Sequence, residues 1–320
     1  MFTRRQTIKY IGAASMTFGL LPQVTAHAQD RELRIGWQKY GVLALAKSTG
    51  LLETRLASRN ITVSWFEFSS GPPLIEALGS NSVDIGPTGD VPPLFAQAAG
   101  RDLEYVGTYR GSPEGKAILV HSNSGIFKVE DLKGKRLGFQ RGSTIHNLVI
   151  KALKAADVST ADVELVDLAP PDALAAFKTG SIDAWAIWDP YAAVAETDPN
   201  VRVLITAEGI VKSWSFFLAS GNFVRRNADL IPEILEVLAN VGRAAQSNLE
   251  ETVKTLAQVT GIPEGPTRAS LTRKGFDLGA VATVADEAIA YQQLLANELY
   301  DLKILPKRIK VENIVWRPGR

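Results

Sequence analysis

The stretch Ser181-Ile-Asp-Ala-Trp-Ala-Ile-Trp-Asp-Pro-Tyr191 decides how this chain is read. Ala184–Ile187 is short and apolar and lies between turn formers, which predicts a buried strand. Trp188-Asp189 then makes a turn, and a helix starts at Pro190. Proline suits the first helical turn, and an aspartate before it is a good N-cap. The same unit occurs earlier, as Ser82-Val-Asp-Ile-Gly-Pro-Thr-Gly-Asp-Val-Pro92. Ser82 and Ser181, Asp84 and Asp183, and Asp90 and Asp189 align without a gap at an offset of 99 residues. The offset also pairs Pro72 with Pro171, each opening a helix-like run. A unit that appears twice predicts two similar α/β lobes. Each lobe places a turn and a helix N-terminus at the C-terminal end of a strand, where open α/β sheets bind ligands.

Outward from these two copies, the spacing of apolar residues predicts strands at 32–37, 61–68, 103–108, 117–121, 136–139, 163–167, 201–206 and 216–219. Helices are expected at 42–56, 92–99 and 145–156, with a short one at 127–134. After Asn222 the pattern turns helical, with runs at 230–248, 249–258 and 284–299. Strands alternating with helices indicate parallel sheets. The expected division is a first lobe of 29–119 with 217–320 and a second lobe of 120–216. Two short strand crossings, near Val120 and near Phe217, would join the lobes as a hinge.

Residues 1–28 read as a cleavable leader. Arg4, Arg5 and Lys9 precede an apolar, small-residue run at 11–21, and Thr25-Ala26-His27-Ala28 ends in a small-x-small pattern. Thr3-Arg4-Arg5-Gln6-Thr7 is similar to a twin-arginine signal, with Thr7 in place of the usual apolar residue. The apolar run is shorter than the roughly 20 residues that cross a bilayer. Without the leader the chain carries 32 basic and 34 acidic residues. That balance and the lack of a basic block argue against a nucleic-acid partner. The sequence has no cysteine, which excludes disulfides, thiolate metal sites and a lipidated N-terminal cysteine.

Candidate chemistry lies in the turns. Helix N-termini offer unpaired N–H groups and partial positive charge, so they suit anions. Gly142-Ser143-Thr144 is the most anion-ready turn, because a glycine lets the backbone approach and two hydroxyls can donate. Either hydroxyl could equally cap its own helix. Asp90 and Asp189 read first as caps, with pairing to a cationic ligand group as the alternative. Asp84 and Asp183 read as structural. Trp185 and Trp188, three apart on a strand, must face opposite ways, so Trp188 is expected at the cleft and Trp185 in the core. Arg110 and Arg141 are further candidates to attract an anion, or simply solvated charges. His146 reads as a packing residue, since no triad partner accompanies it. No metal-ligand spacing, Walker loop or nucleophile elbow occurs, and no cofactor is expected.

Several motifs together resemble one family. They are Gly36-Trp-Gln-Lys39, Gly71-Pro72, Asp84-Ile-Gly-Pro-Thr-Gly-Asp90, Asp131-Leu-Lys-Gly134, Phe139-Gln-Arg-Gly-Ser143 with His146-Asn147, Asp183-Ala-Trp-Ala-Ile-Trp-Asp-Pro-Tyr191 and Ile314-Val-Trp316. In this order they are similar to the periplasmic aliphatic-sulfonate-binding proteins of ABC importers, in the taurine/nitrate/sulfonate group. The resemblance runs from Leu33 to Trp316. It implies an α/β, two-lobed periplasmic binding protein of type II-like fold that closes on an anion. It implies Gln38, Ser70, Gly71, Thr88, Gly89, Asp90, Gly142, Ser143, Asn147 and Trp188 as pocket residues. Thr144 joins them on its hydroxyl, and Trp214, where the family has a small residue, would narrow the slot. The implied partners are an alkanesulfonate and an inner-membrane permease with its ATPase, serving sulfur acquisition, with the protein a periplasmic monomer and not an enzyme. Other solutes on the same fold are taurine, nitrate, a sulfate ester or a thiamine precursor. The rival class is an enzyme acting on a small metabolite.

Overall fold

The structure, a computed structural model, describes residues 31–319. The leader expected at 1–28 lies outside the described residues. The strands are β1 (Arg31–Trp37), β2 (Ile61–Glu67), β3 (Ile85–Gly89), β4 (Leu103–Arg110), β5 (Lys116–His121), β6 (Arg136–Phe139), β7 (Glu164–Asp167), β8 (Ala184–Trp188), β9 (Val201–Thr206), β10 (Trp214–Ser220) and β11 (Asp277–Ala282). They form two sheets, ordered β11-β4-β10-β3-β1-β2 and β7-β6-β8-β5-β9. Each contains a parallel trio (β2-β1-β3 and β7-β6-β8), then one antiparallel strand (β10 or β5), then a strand that runs with the trio again (β4 or β9), and β11 adds a sixth strand to the first sheet. The two sheets therefore share one strand plan, as the sequence repeat predicts.

The inserted antiparallel strand leaves no mark in the sequence pattern. The alternation of strands and helices predicts only the parallel part, because β10 pairs with strands more than 100 residues away in the chain. The sheets exchange the chain at Gly111–Gly115, between β4 and β5, and at 207–213, between β9 and β10. These crossings lie several residues before Val120 and Phe217. Gly111 N–H donates to Ser213 O at 3.1 Å, so the two crossings run side by side.

Each sheet is buried on both faces. On β10, Phe217 and Ala219 pack with Leu33, Ile35 and the helix Leu230–Ser247, while Phe216 and Leu218 pack with Leu74, Leu94 and the helix Asp286–Asp301. On β5, Ile118 and Val120 face the helix Thr144–Ala155, and Ala117 and Leu119 face Phe177 and Trp185. This is the two-residue period of a strand with apolar neighbours on both sides.

The repeat also fixes a matched pair of clamps. Asp84 Oδ2 accepts from the Arg34 backbone N–H at 2.8 Å and from Nε at 3.1 Å, and Oδ1 accepts from Nη2 at 2.7 Å. Asp183 repeats this on Arg136 at 2.8, 3.1 and 3.0 Å. In each sheet the carboxylate ties the third strand to the first. Both residues are structural, as expected.

The tail differs from its expectation in one respect. It is mostly helical, but Asp277–Ala282 adds an edge strand antiparallel to β4. The expected helix at 42–56 breaks at Gly50, whose φ of 62° lies in the left-handed region. Among the described residues no helix is long and apolar enough to cross a membrane.

Candidate functional site

A cavity of about 70 Å³ lies between the two sheets, beside the crossings. The first sheet supplies Gln38, Gly71, Thr88, Gly89, Tyr109 and Ser215, and the second supplies Lys116, Thr144, Trp188 and Asp189. The crossings supply Gly111, Ser112, Gly115 and Ser213. By this measure one water needs about 10–15 Å³, so the space holds roughly half a dozen small groups.

Local geometry explains these positions. Gly71 opens the helix Gly71–Gly79, and a Cβ there would fall 2.6 Å from Thr88 Oγ1 and 2.8 Å from Pro92 Cγ. Gly89 ends β3, and a Cβ there would fall 2.6 Å from Thr144 Cβ. Only glycine lets the end of β3 meet the start of the helix Thr144–Ala155. Gln38 is held in place by donating Nε2 to Pro87 O at 3.0 Å. Trp188 ends β8 half-buried, with its ring edge-on to Tyr191, whereas Trp185 is fully buried.

The sequence-derived candidates separate cleanly. Gln38, Gly71, Thr88, Gly89, Thr144 and Trp188 line the cavity, and Ser70, Asp90, Gly142, Ser143, Asn147 and Trp214 do not. Asp90 is not a cap: it makes no side-chain cap bond, and its carboxylate accepts from Thr144 Oγ1, from Asn147 Nδ2 at 3.3 Å and from the Tyr291 hydroxyl at 2.7 Å. Asp189 does accept from Ala193 N–H at 3.1 Å, in the manner of a cap, but it also pairs with Arg273. Ser143 turns its hydroxyl back to Gln140 O at 2.7 Å. Gly142, with φ at +70°, lies in an outer apolar groove with Pro72, Phe95 and Arg141. Asn147 is buried behind Thr144. Ser70 precedes the helix Gly71–Gly79 without a cap bond, and its buried hydroxyl has no partner in the protein.

Trp214 faces away from the cavity, and Arg110 stacks on its ring at 4.2 Å. Its neighbours Ser213 and Ser215 take the cavity side, which is the alternation of an extended chain. Arg110 also pairs with Glu287 at 3.5 Å, so it is committed elsewhere. His146 packs against Phe139, and its Nδ1 accepts from Gly142 N–H at 3.3 Å. Burial, with the Arg141 charge, lowers its pKa to about 4.

The sequence did not reveal Lys116. It is 6% exposed, and its Nζ donates to Thr144 Oγ1 at 3.3 Å. Among the described residues no carboxylate lies within ion-pair distance of it. Burial lowers its pKa, and only the more distant Asp90 opposes that shift. Near it, the hydroxyls of Thr88 and Ser213 are buried without a partner in the protein. A buried ammonium and unpaired hydroxyl donors around one small cavity make a site for an anion. Among the described residues no cluster of potential metal ligands occurs.

Two sheets on one plan, with strand ends and helix N-termini facing a shared cavity, define a two-lobed solute-binding fold. The chain belongs to the NMT1/THI5-like family, whose model matches residues 58–252. It is 39% identical to an aliphatic sulfonates-binding protein of Escherichia coli (strain K12) over 92% of each chain. Among solved structures it is similar to the alkanesulfonate-binding protein SsuA from Xanthomonas axonopodis pv. citri bound to MOPS. That match has 39% identity and a TM-score of 0.85, over 89% of this chain and 98% of the other. The periplasmic aliphatic sulphonate binding protein SsuA from Escherichia coli matches with 38% identity and a TM-score of 0.80, over 91% and 93%.

Proposed function

We propose that this chain is the solute-binding component of an ABC importer and captures aliphatic sulfonates between its lobes. The observation that carries the reading is Lys116. A buried ammonium without a carboxylate partner is costly, and a bound monoanion would offset that cost. The sulfonate head would take hydrogen bonds from Lys116, Thr88 and Ser213, with Thr144, whose proton goes to Asp90, holding Lys116 in place. The tail would lie against Tyr40, Tyr109, Pro87 and Trp188. Of the remaining sequence candidates, Ser70, Asp90, Gly142, Ser143 and Asn147 would support the site from behind it.

The same geometry ranks the rival solutes. Taurine needs a carboxylate free to meet its ammonium. Asp90 already accepts three hydrogen bonds, and Asp189 is paired with Arg273. A sulfonate without an amine therefore fits better. Closure would occur about the paired crossings at Gly111–Gly115 and 207–213, with 31–110 and 214–319 moving against 116–206. The protein would act in the periplasm as a monomer after loss of residues 1–28. It would deliver its ligand unchanged to a permease driven by an ATPase. The names of the relatives support this setting, as does the leader-like start of the sequence.

Titration calorimetry with pentanesulfonate tests the reading. Saturable one-to-one binding is expected, and heat from an unrelated solute but from no sulfonate would refute it. In Lys116→Met the two consequences have opposite signs. Affinity should fall roughly 10- to 100-fold, the range of a lost charged hydrogen bond. The ligand-free protein should melt no lower than wild type, since an uncompensated charge has been removed.

A further inference from the structure

The repeat places Asp90 and Asp189 at the same point in each sheet, just past the third strand. Both are buried, at 0% and 1% exposure. Both also reach across to the other sheet's side, in opposite directions. Asp90, from the first sheet, accepts at Oδ1 from the Thr144 hydroxyl and at Oδ2 from both Asn147 Nδ2 and, on its own side, the Tyr291 hydroxyl. Asp189, from the second sheet, accepts at Oδ2 from Arg273 Nε at 3.1 Å and at Oδ1 from both Arg273 Nη2 at 3.5 Å and, on its own side, Ala193 N–H at 3.1 Å. Each carboxylate thus spends one oxygen wholly across the cleft and divides the other.

The segment bearing Arg273 is strapped down along its length. Arg273 Nη2 also donates to Glu196 at 2.8 Å, Lys274 N–H donates to Glu114 at 2.9 Å, and Ser112 Oγ donates to Lys274 O at 2.7 Å. Arg273 follows the helix Glu264–Leu271, which packs on the first sheet's side, while Glu196 belongs to the second.

We infer that Asp90 and Asp189 form a reciprocal latch that holds the two lobes closed and sets how slowly ligand leaves, rather than recognising the ligand. The inference rests on the solute-binding reading of the cavity. Separation of the lobes would return both carboxylates and Arg273 to water, where hydration compensates the lost bonds. The latch is then close to balance without ligand. A solute that fills the cavity excludes water beside Asp189, which also lines it, and strengthens the pairs.

The test uses the whole mature chain with Asp90→Asn, Asp189→Asn or Arg273→Gln. Pentanesulfonate association and dissociation are followed by stopped flow. The cysteine-free sequence permits clean dye labelling of Leu51→Cys and Phe127→Cys, exposed positions on opposite lobes, for energy transfer. Dissociation should quicken at least tenfold, association should change less than threefold, and the closed fraction at saturation should fall. Glu196→Gln, at the more exposed end of the pair, should give a smaller effect of the same kind if a buried variant fails to fold. Unchanged dissociation, or slowed association with closure intact, overturns the latch. If wild type binds no sulfonate, the ligand reading fails on its own. The latch is then read on the ligand-free protein, where the variants must show a smaller closed fraction than wild type. Equal fractions overturn it.

Discussion

Asp189, buried at the cleft, and the half-buried His146 titrate in opposite senses. His146 has its pKa lowered to about 4 by burial and the Arg141 charge, with Asp167 opposing. The unfolded chain takes up that proton near the ordinary value of 6.5, so stability falls as pH drops from about 6.5 to 4. Asp189 has its pKa raised to about 6 by burial, against the pull of Arg273; Glu196 adds to the rise, and Tyr40 also faces it. The folded form holds a proton there that the unfolded chain has lost, so this contribution grows as pH drops from about 6 to 4. Each is worth about 3 kcal/mol at most, and the two nearly cancel in that window. Asp189→Asn removes one side of the balance. Its stability should fall more steeply than wild type between pH 6 and pH 4, and parallel curves from urea melts at the two pH values would reject this. At this scale the sequence was legible where a side chain sits on a strand-end turn, as with Thr88, Thr144 and Trp188. It was silent on Lys116, because a lysine at the start of a strand looks solvated until the other lobe covers it. Trp214 was misplaced because nothing in the sequence says which face of β10 meets the cleft.

Between elements, the repeat carried more information than any single motif. The aligned aspartates predicted two like units, and the Asp84–Arg34 and Asp183–Arg136 clamps give that likeness a physical basis. A periodicity argument finds parallel strands because each is followed by its helix. It does not find β10 or β5 as inserted neighbours, since their partners are distant in sequence. Edge strand β11 was missed for another reason: Asp277-Leu-Gly-Ala-Val-Ala282 contains a single β-branched residue. Its place is fixed by packing on the helix Leu230–Ser247. There Gly242 lets the helix touch the strand backbone, and a Cβ would overlap Leu278 O. Gly242→Ala should therefore cost about 1–3 kcal/mol by overpacking, despite alanine's better helix propensity. Urea denaturation would measure it, and a variant as stable as wild type would show that β11 is free to shift.

For the whole molecule, the shared strand plan makes closure a meeting of two equivalent edges. The end of β3 meets the start of the helix Thr144–Ala155, and the contact exists because Gly89 has no side chain. The backbone of Gly89 is not in the left-handed region, so a larger residue is allowed by its own conformation. The obstacle is only the opposite lobe, where Thr144 would lie 2.6 Å from an added Cβ. Gly89→Val should act as a wedge. Each lobe keeps its own core, so the melting temperature should stay within a few degrees of wild type. Pentanesulfonate affinity should drop at least tenfold, because binding must now occur without full closure. Small-angle X-ray scattering separates this from a local loss of contacts. Wild type should contract on adding ligand, and the variant at saturating ligand should keep its ligand-free radius of gyration. A variant that contracts as far as wild type would mean that the two edges do not need to touch for the cleft to close.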